Sequence, residues 1–172
     1  VRWLPFQLNP DIPEAGIPRK TYLEAKFGSG ARRNYDRIEA IGRSLGLAFD
    51  FDAITVQPNT VNAHRLMRYG ALAGCEDATA EALFRAYFIE GRALTDLDVL
   101  ADIGASAGLD RDALATYLAS DEGRAEVLRA DLGARQGGIN GVPFFIFNRR
   151  VAVSGAHEPE TLLAAMEKAA DG

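Results

Sequence analysis

The stretch Gly137-Gly138-Ile139-Asn140-Gly141-Val142-Pro143-Phe144-Phe145-Ile146-Phe147 constrains the fold more than any other part of the chain. A glycine-rich approach ends on a Val-Pro step, and a continuous apolar run follows. Proline gives no N–H to a β-ladder, so it is confined to the opening of a strand, an edge or a bulge. Four apolar residues with no polar alternation read as a strand covered on both faces. Asn148-Arg149 then supplies a tight turn into Arg150 to Ser154, which predicts a β-hairpin. On its residues alone Pro143 is a trans proline that opens the strand, with cis the rarer isomer.

What precedes the hairpin is almost entirely of helical period. Val1 to Leu8 reads as a strand, and a proline-punctuated loop through Pro10, Pro13, Gly16 and Pro18 follows it. Apolar stripes at helical spacing predict helices over 20–27, 31–45 and 60–73. Asp77 is placed to cap a helix bearing Leu83, Phe84, Tyr87 and Phe88 on one face, closed near Gly91. Thr95 with Asp98 resembles a capping box, closed near Gly108. Asp110 and Ser120 are suited to cap two more helices that end near Arg135. After the hairpin, Pro159 suits the first turn of a last helix whose buried face would be Leu162, Leu163 and Met166. There is no internal repeat and no low-complexity tract.

With 48% hydrophobic and 25% charged residues, the 172-residue chain can bury a substantial core, so one globular unit with an inserted lobe is expected. The net charge of −5 is interspersed, which argues against binding nucleic acid or an anionic membrane by bulk electrostatics. No apolar run approaches the roughly 20 residues that span a bilayer. A single cysteine, Cys75, excludes a disulfide framework, and the Ala-rich and Leu-rich helices favour the cytoplasm. The chain opens on a strand-like segment without a methionine, so any signal sequence would have lain upstream.

Few side chains look chemical. Cys75 has Glu76 and Asp77 beside it, and acidic neighbours oppose a thiolate, so inert packing is the expectation. His64 lies in an apolar helical context and Asn59 reads first as a helix cap. His157 reads as a surface residue after the Ser154-Gly155-Ala156 loop. The two histidines are far apart, with no paired cysteine and no His-x-x-x-His spacing, so a zinc site is not expected. Gly137, Gly138 and Gly141 lack the Gly-Lys-Ser/Thr ending of a phosphate loop, and Gly28-Ser29-Gly30 lacks the third glycine of a dinucleotide fingerprint. Asp50, Asp52, Asp96 and Asp98 read as caps and turns, and Phe84, Tyr87 and Phe88 as core.

Four further segments recur together with Gly141-Val142-Pro143-Phe144-Phe145. They are Trp3-Leu4-Pro5-Phe6-Gln7-Leu8-Asn9-Pro10, Asn59-Thr60 with Ala63-His64-Arg65-Leu66, Leu83-Phe84-Arg85-Ala86-Tyr87-Phe88, and Val153-Ser154-Gly155-Ala156. In this order, and over the whole chain, they resemble the DsbA family, FrnE-like branch. The resemblance implies an α/β, thioredoxin-like fold with a large all-helical insertion between the second strand and the cis-Pro strand. Residues 1–18 and 137–172 would form the thioredoxin-like domain and residues 19–136 the helical insertion domain. In the family, a strand and a Cys-Pro-x-Cys helix precede the segment matching Val1 to Leu8. That strand lies at the centre of the sheet, so the expectation is that a native N-terminal piece carries it.

The resemblance further implies thiol-disulfide oxidoreductase or protein disulfide isomerase chemistry, with no catalytic residue visible in the chain itself. Pro143 would be cis, with Val142 and Gly141 presenting backbone to an extended substrate, and His64 and Asn59 would border the cleft. The partners would be protein thiols and disulfides or small thiols. No tightly bound cofactor or metal is implied, and glutathione is a possible redox co-substrate. Two alternatives stay open. One is a glutathione-dependent isomerase or transferase of the hydroxychromene carboxylate isomerase or kappa type, although those relatives usually carry Thr after the cis-proline, where this chain has Phe144. The other is a redox-dead member that only holds peptides.

Overall fold

The computed structural model describes residues 1–28 and 31–171, with backbone alone over 31–34. Ser29 and Gly30, two of the three residues of the weak glycine pattern read in the sequence, lie outside the described residues. Eight helices are described: α1 (Arg19–Phe27), α2 (Ala31–Ser44), α3 (Val61–Leu72), α4 (Glu76–Phe88), α5 (Leu97–Ser106), α6 (Arg111–Ala119), α7 (Arg124–Gln136) and α8 (Pro159–Ala170). Two short antiparallel ribbons accompany them, β1 (Ile17–Pro18) with β2 (Val56–Gln57), and β3 (Phe144–Phe147) with β4 (Val151–Ser154). No described helix is long and apolar enough to cross a membrane.

The core is organised by α3, which packs against α4, α5, α6 and α7. Its Leu66 is fully buried, and Leu100 and Ile103 of α5 with Leu114 and Leu118 of α6 close around it. Close approach of α3 and α4 depends on Gly70, where a Cβ would run into the Thr79 side chain. An aromatic group of Tyr35, Phe49, Phe51 and Phe88, with Tyr35 stacked on Phe51 at 4.6 Å, ties α2 to α4. Rings at such separations gain stabilisation beyond their buried area.

At the α6–α7 junction lies a buried cation that has no carboxylate partner among the described residues. Arg65 is 2% exposed, and its guanidinium donates to the carbonyls of Tyr117, Leu118, Ser120 and Glu122 and to Asn62 Oδ1. The last carbonyls of a helix have no intrahelical partner and carry its negative dipole end. A planar five-donor side chain suits that terminus.

Several expectations need correction. Val1 to Leu8 is extended but is no strand, because among the described residues no ladder neighbour lies beside it; helix side chains bond its backbone instead. Asp77 lies inside the first turn of α4, whose N-cap is Cys75. For α5 the cap is Asp96, which accepts from the Asp98 and Val99 N–H groups, one residue beyond Thr95. Ser120 closes α6 at its C-cap and α7 opens at Gly123; the Ser120 hydroxyl donates to Tyr117 C=O, so it turns the chain rather than starting a helix. Asp110 does cap α6, accepting from Ala113 N–H.

The apolar pattern at the C-terminal end also needs correction. Ile146 is 49% exposed, so β3 is not covered on both faces. In α8 the inward residues are Leu162, Ala165 and Ala169, while Leu163 and Met166 stay more than half exposed. The physical reason is one of partners: β3, β4 and α8 pack on one another, and among the described residues no other element touches them.

Candidate functional site: a Val-Pro loop and the segment pinned beside α7

The loop begins where α7 ends. Gly138 takes φ +84°, and the N–H groups of Gly137, Gly138 and Ile139 return to the carbonyls of Gly133, Arg135 and Ala134. Glycine in the left-handed region is the common way to close a helix so. Beyond Ile139 the loop makes no hydrogen bond among the described residues before the Val142–Pro143 peptide bond, which is cis. Pro143 C=O accepts from Gly155 N–H at 2.9 Å and so extends the β3–β4 ladder by one pair. Hydrogen-bonding direction alternates along a strand. The backbone of Phe145 and Phe147 therefore faces β4, and that of Phe144 and Ile146 faces the opposite, unpaired edge. Val142 is 48% exposed, and among the described residues neither its N–H nor its C=O has a partner. The hairpin closes through Asn148 and Arg149, both at positive φ, with Arg150 N–H bonded to Phe147 C=O.

His64 and Asn59 lie on the other side of the molecule's sequence and hold the N-terminal segment. Asn59 Nδ2 donates to Ile12 C=O at 2.7 Å, while its Oδ1 accepts from Val61 N–H at the start of α3. His64 Nε2 lies 3.3 Å from Phe6 C=O. A carbonyl can only accept, so this bond requires the Nε2–H tautomer. Burial holds the His64 pKa below the ordinary histidine value, outweighing the Phe6 carbonyl and the Asp131 charge, which pull it upward. Among the described residues no hydrogen bond joins either side chain to Gly141, Val142 or Pro143.

Sequence reasoning missed Asp131 and Arg135, which complete the hold on that segment. Asp131 is buried and its Oδ1 accepts from Gln7 N–H at 2.7 Å. Arg135 Nε donates to Asp131 Oδ2 at 3.0 Å, and its Nη2 donates to Gln7 C=O. The guanidinium also lies over the Phe6 ring, 4.5 Å from its centroid. Burial pushes the Asp131 carboxyl upward, yet the Arg135 bond, the Gln7 N–H bond and the Arg135 charge together hold it below its ordinary value. Further out, Trp3 Nε1 donates to Asp77 Oδ1 at 2.7 Å and its ring meets Phe84 edge-on. In the sequence, Asp131 and Arg135 have only the i,i+4 spacing of a solvated helix pair.

The remaining titratable residues look structural. Cys75 is free, half-buried against the core, and its Sγ lies 3.8 Å from Thr79 Oγ1. His157 is exposed and bonds Ser154 C=O. Among the described residues no group of three or more His, Cys, Asp and Glu could hold a metal ion. Asp50 accepts from Ala53 N–H in a turn, and Asp98 pairs with Arg111.

An apolar strand opened by a cis-proline, a hairpin and a helix packed on that hairpin follow the helices α1 to α7, and this arrangement is the part of a DSBA-like thioredoxin fold that the chain shows. The chain belongs to the DSBA-like thioredoxin domain family, whose model matches residues 1–167. It is similar in structure to a probable DsbA oxidoreductase from Streptomyces coelicolor, with a TM-score of 0.88 and 30% sequence identity over 96% of this chain and 73% of that one. No curated protein matches the chain.

Proposed function

We propose that the protein is a cytoplasmic thiol-disulfide oxidoreductase or protein disulfide isomerase of the FrnE-like branch, acting through a Cys-x-x-Cys pair upstream of Val1. The observation that carries this reading is the Val142–Pro143 step, cis and exposed, with the Val142 backbone unpaired among the described residues. An extended peptide that aligned there would gain main-chain hydrogen bonds without needing particular side chains, which suits an enzyme that meets many disulfides. The open edge at Phe144 and Ile146 and the exposed Leu163 and Met166 are the surfaces on which a further strand and helix would pack.

The chemistry follows from thiol reactivity. A cysteine at a helix N-terminus has its thiolate stabilised by the dipole and by free N–H groups. The thiolate attacks one sulfur of a substrate disulfide, which forms a mixed disulfide and releases the other substrate sulfur as thiolate. The second cysteine then displaces the substrate and leaves the enzyme oxidised and the substrate reduced by two electrons. In isomerisation the substrate's own thiol makes that second attack, with no net change. Glutathione would serve as a co-substrate only.

Turnover of a self-quenched peptide disulfide, with glutathione as reductant, tests the reading. Release of both peptide halves supports it. Tight glutathione binding by calorimetry without turnover would point instead to a glutathione-dependent isomerase or transferase, and peptide binding without turnover to a redox-dead member.

A further inference from the structure

We infer that Phe6 and Gln7 form an acid-opened cover over His64, one that lifts from α3 and α7 when the imidazole takes up a proton while the chain on either side stays docked. Two helices hold the cover. His64 of α3 donates its Nε2–H to Phe6 C=O at 3.3 Å. From α7, Asp131 accepts the Gln7 N–H at 2.7 Å, and Arg135 bonds Gln7 C=O and lies over the Phe6 ring. The flanks have anchors of their own. Trp3 is held on α4 by Glu76, Asp77 and the Phe84 ring, and Ile12 C=O accepts from Asn59 just before α3. Phe6 and Gln7 can therefore part from the helices without the whole segment coming away.

The surroundings of His64 make a proton there costly while the cover is closed. Asp131 is the α7 charge that acts on it, and that carboxylate is already engaged by Arg135 and the Gln7 N–H. Of the cations on α3, Arg65 turns to the α6–α7 junction and the stem of Arg68 lies toward Gly123. The other helices packed on α3 turn their carboxylates elsewhere: Glu76 and Asp77 of α4 to Trp3, Asp98 and Asp102 of α5 and Asp112 of α6 to Arg111. A closed, protonated His64 would thus be a buried imidazolium sharing one carboxylate with Arg135, and burial holds its pKa below the ordinary value. Lifting Phe6 and Gln7 gives the ring water. The open chain accepts near pH 6.5 the proton that the closed chain refuses, so acid favours opening. Contacts that upstream residues add to the segment change how rarely the cover opens; the pH slope counts only the proton taken up on opening.

Amide hydrogen exchange of the protein from its complete reading frame, read as protection factors at pH 7.5 and 5.5, tests the cover. The Gln7 amide, bonded to Asp131, exchanges only when the cover opens. Its protection should lie at least about tenfold below that of the core amides of Leu100 and Leu114 at both pH values, the mark of a local opening. It should fall about five- to tenfold from pH 7.5 to 5.5, tenfold being roughly the limit for one histidine that takes up its proton only when open. In His64→Gln, which keeps a donor for Phe6 C=O, the fall should be less than about twofold. Equal protection at Gln7 and the core would overturn the inference, because Gln7 would then open only with the whole fold. An equal fall in parent and variant would overturn it as well. The His64 ring resonance of the unsubstituted protein gives a reading that does not need the variant to fold. It should titrate below about 6.5, and a midpoint at or above that value removes the coupling on which the cover depends.

Discussion

Replacing Arg65 with methionine removes a charge and a hydrogen-bond hub while keeping the volume of the stem. Its five acceptors do not suffer equally. Ser120 and Glu122 are exposed, so their carbonyls regain water, and Tyr117 C=O keeps the Ser120 N–H and hydroxyl. Leu118 C=O and Asn62 Oδ1 are on buried residues and lose the guanidinium. A buried acceptor left unmade costs about 1–3 kcal/mol, so two of them cost about 2–6 kcal/mol. The 5.0 Å stacking of the guanidinium on Tyr117 is also lost, worth about 1–2 kcal/mol when desolvated. Against this stands the relief of having buried a cation with no carboxylate partner among the described residues, which is favourable to the variant. The balance is a loss of roughly 3 kcal/mol, large beside total stabilities of about 5–15 kcal/mol. Urea unfolding followed by circular dichroism should show a lower midpoint at an unchanged slope. Arg65→Lys should lose about half as much, because lysine keeps the charge and three donors. A methionine variant within about 1 kcal/mol of the parent would refute the claim that this network holds the α6–α7 junction.

Two further outcomes follow from the same reasoning. His64 is neutral in the fold because burial lowers its pKa, so below the ordinary value of about 6.5 the unfolded chain takes up a proton that the folded chain refuses. Stability should therefore fall as pH drops from 6.5 toward the folded value. His64→Gln, which keeps a donor for Phe6 C=O, should flatten that slope in urea midpoints at pH 5.5, 6.5 and 7.5, and an unchanged slope would contradict the assignment. Arg149 sits at φ +59°, where a side chain costs roughly 1–2 kcal/mol. Arg149→Gly should slow hydrogen exchange at the β3 and β4 amides, and faster exchange would count against it.

The helices were legible because their apolar residues repeat at helical spacing around one core, and Asp110 was legible as a cap because its short carboxylate reaches Ala113 N–H. The errors share a cause, that local pattern carries no information about the partner. Val1 to Leu8 is largely apolar and followed by a proline-punctuated loop as a strand is, but a ladder needs a neighbour, and Gln7 finds Asp131 and Arg135 instead. Leu163 and Met166 have the spacing of a buried stripe, yet the hairpin covers only the Leu162, Ala165 and Ala169 face. The ribbon of Ile17–Pro18 with Val56–Gln57 is too short to show any period. Arg65 could have been suspected, since a basic residue beside Leu66 breaks the apolar face of α3, but its carbonyl partners lie more than fifty positions away. Of the site, the Val142–Pro143 loop was read from its own residues, while the bond from Arg135 of α7 to Gln7 spans 128 positions and left no mark at either end.

Mass spectrometry of the denatured protein from its complete reading frame, before and after alkylation of its reduced thiols, tests the central claim most directly. The account expects a mass above the 18.6 kDa of the 172-residue chain. It also expects three alkyl groups after reduction and one, on Cys75, when the protein has first been oxidised. A protein that takes up a single alkyl group under both conditions would contradict thiol-disulfide exchange.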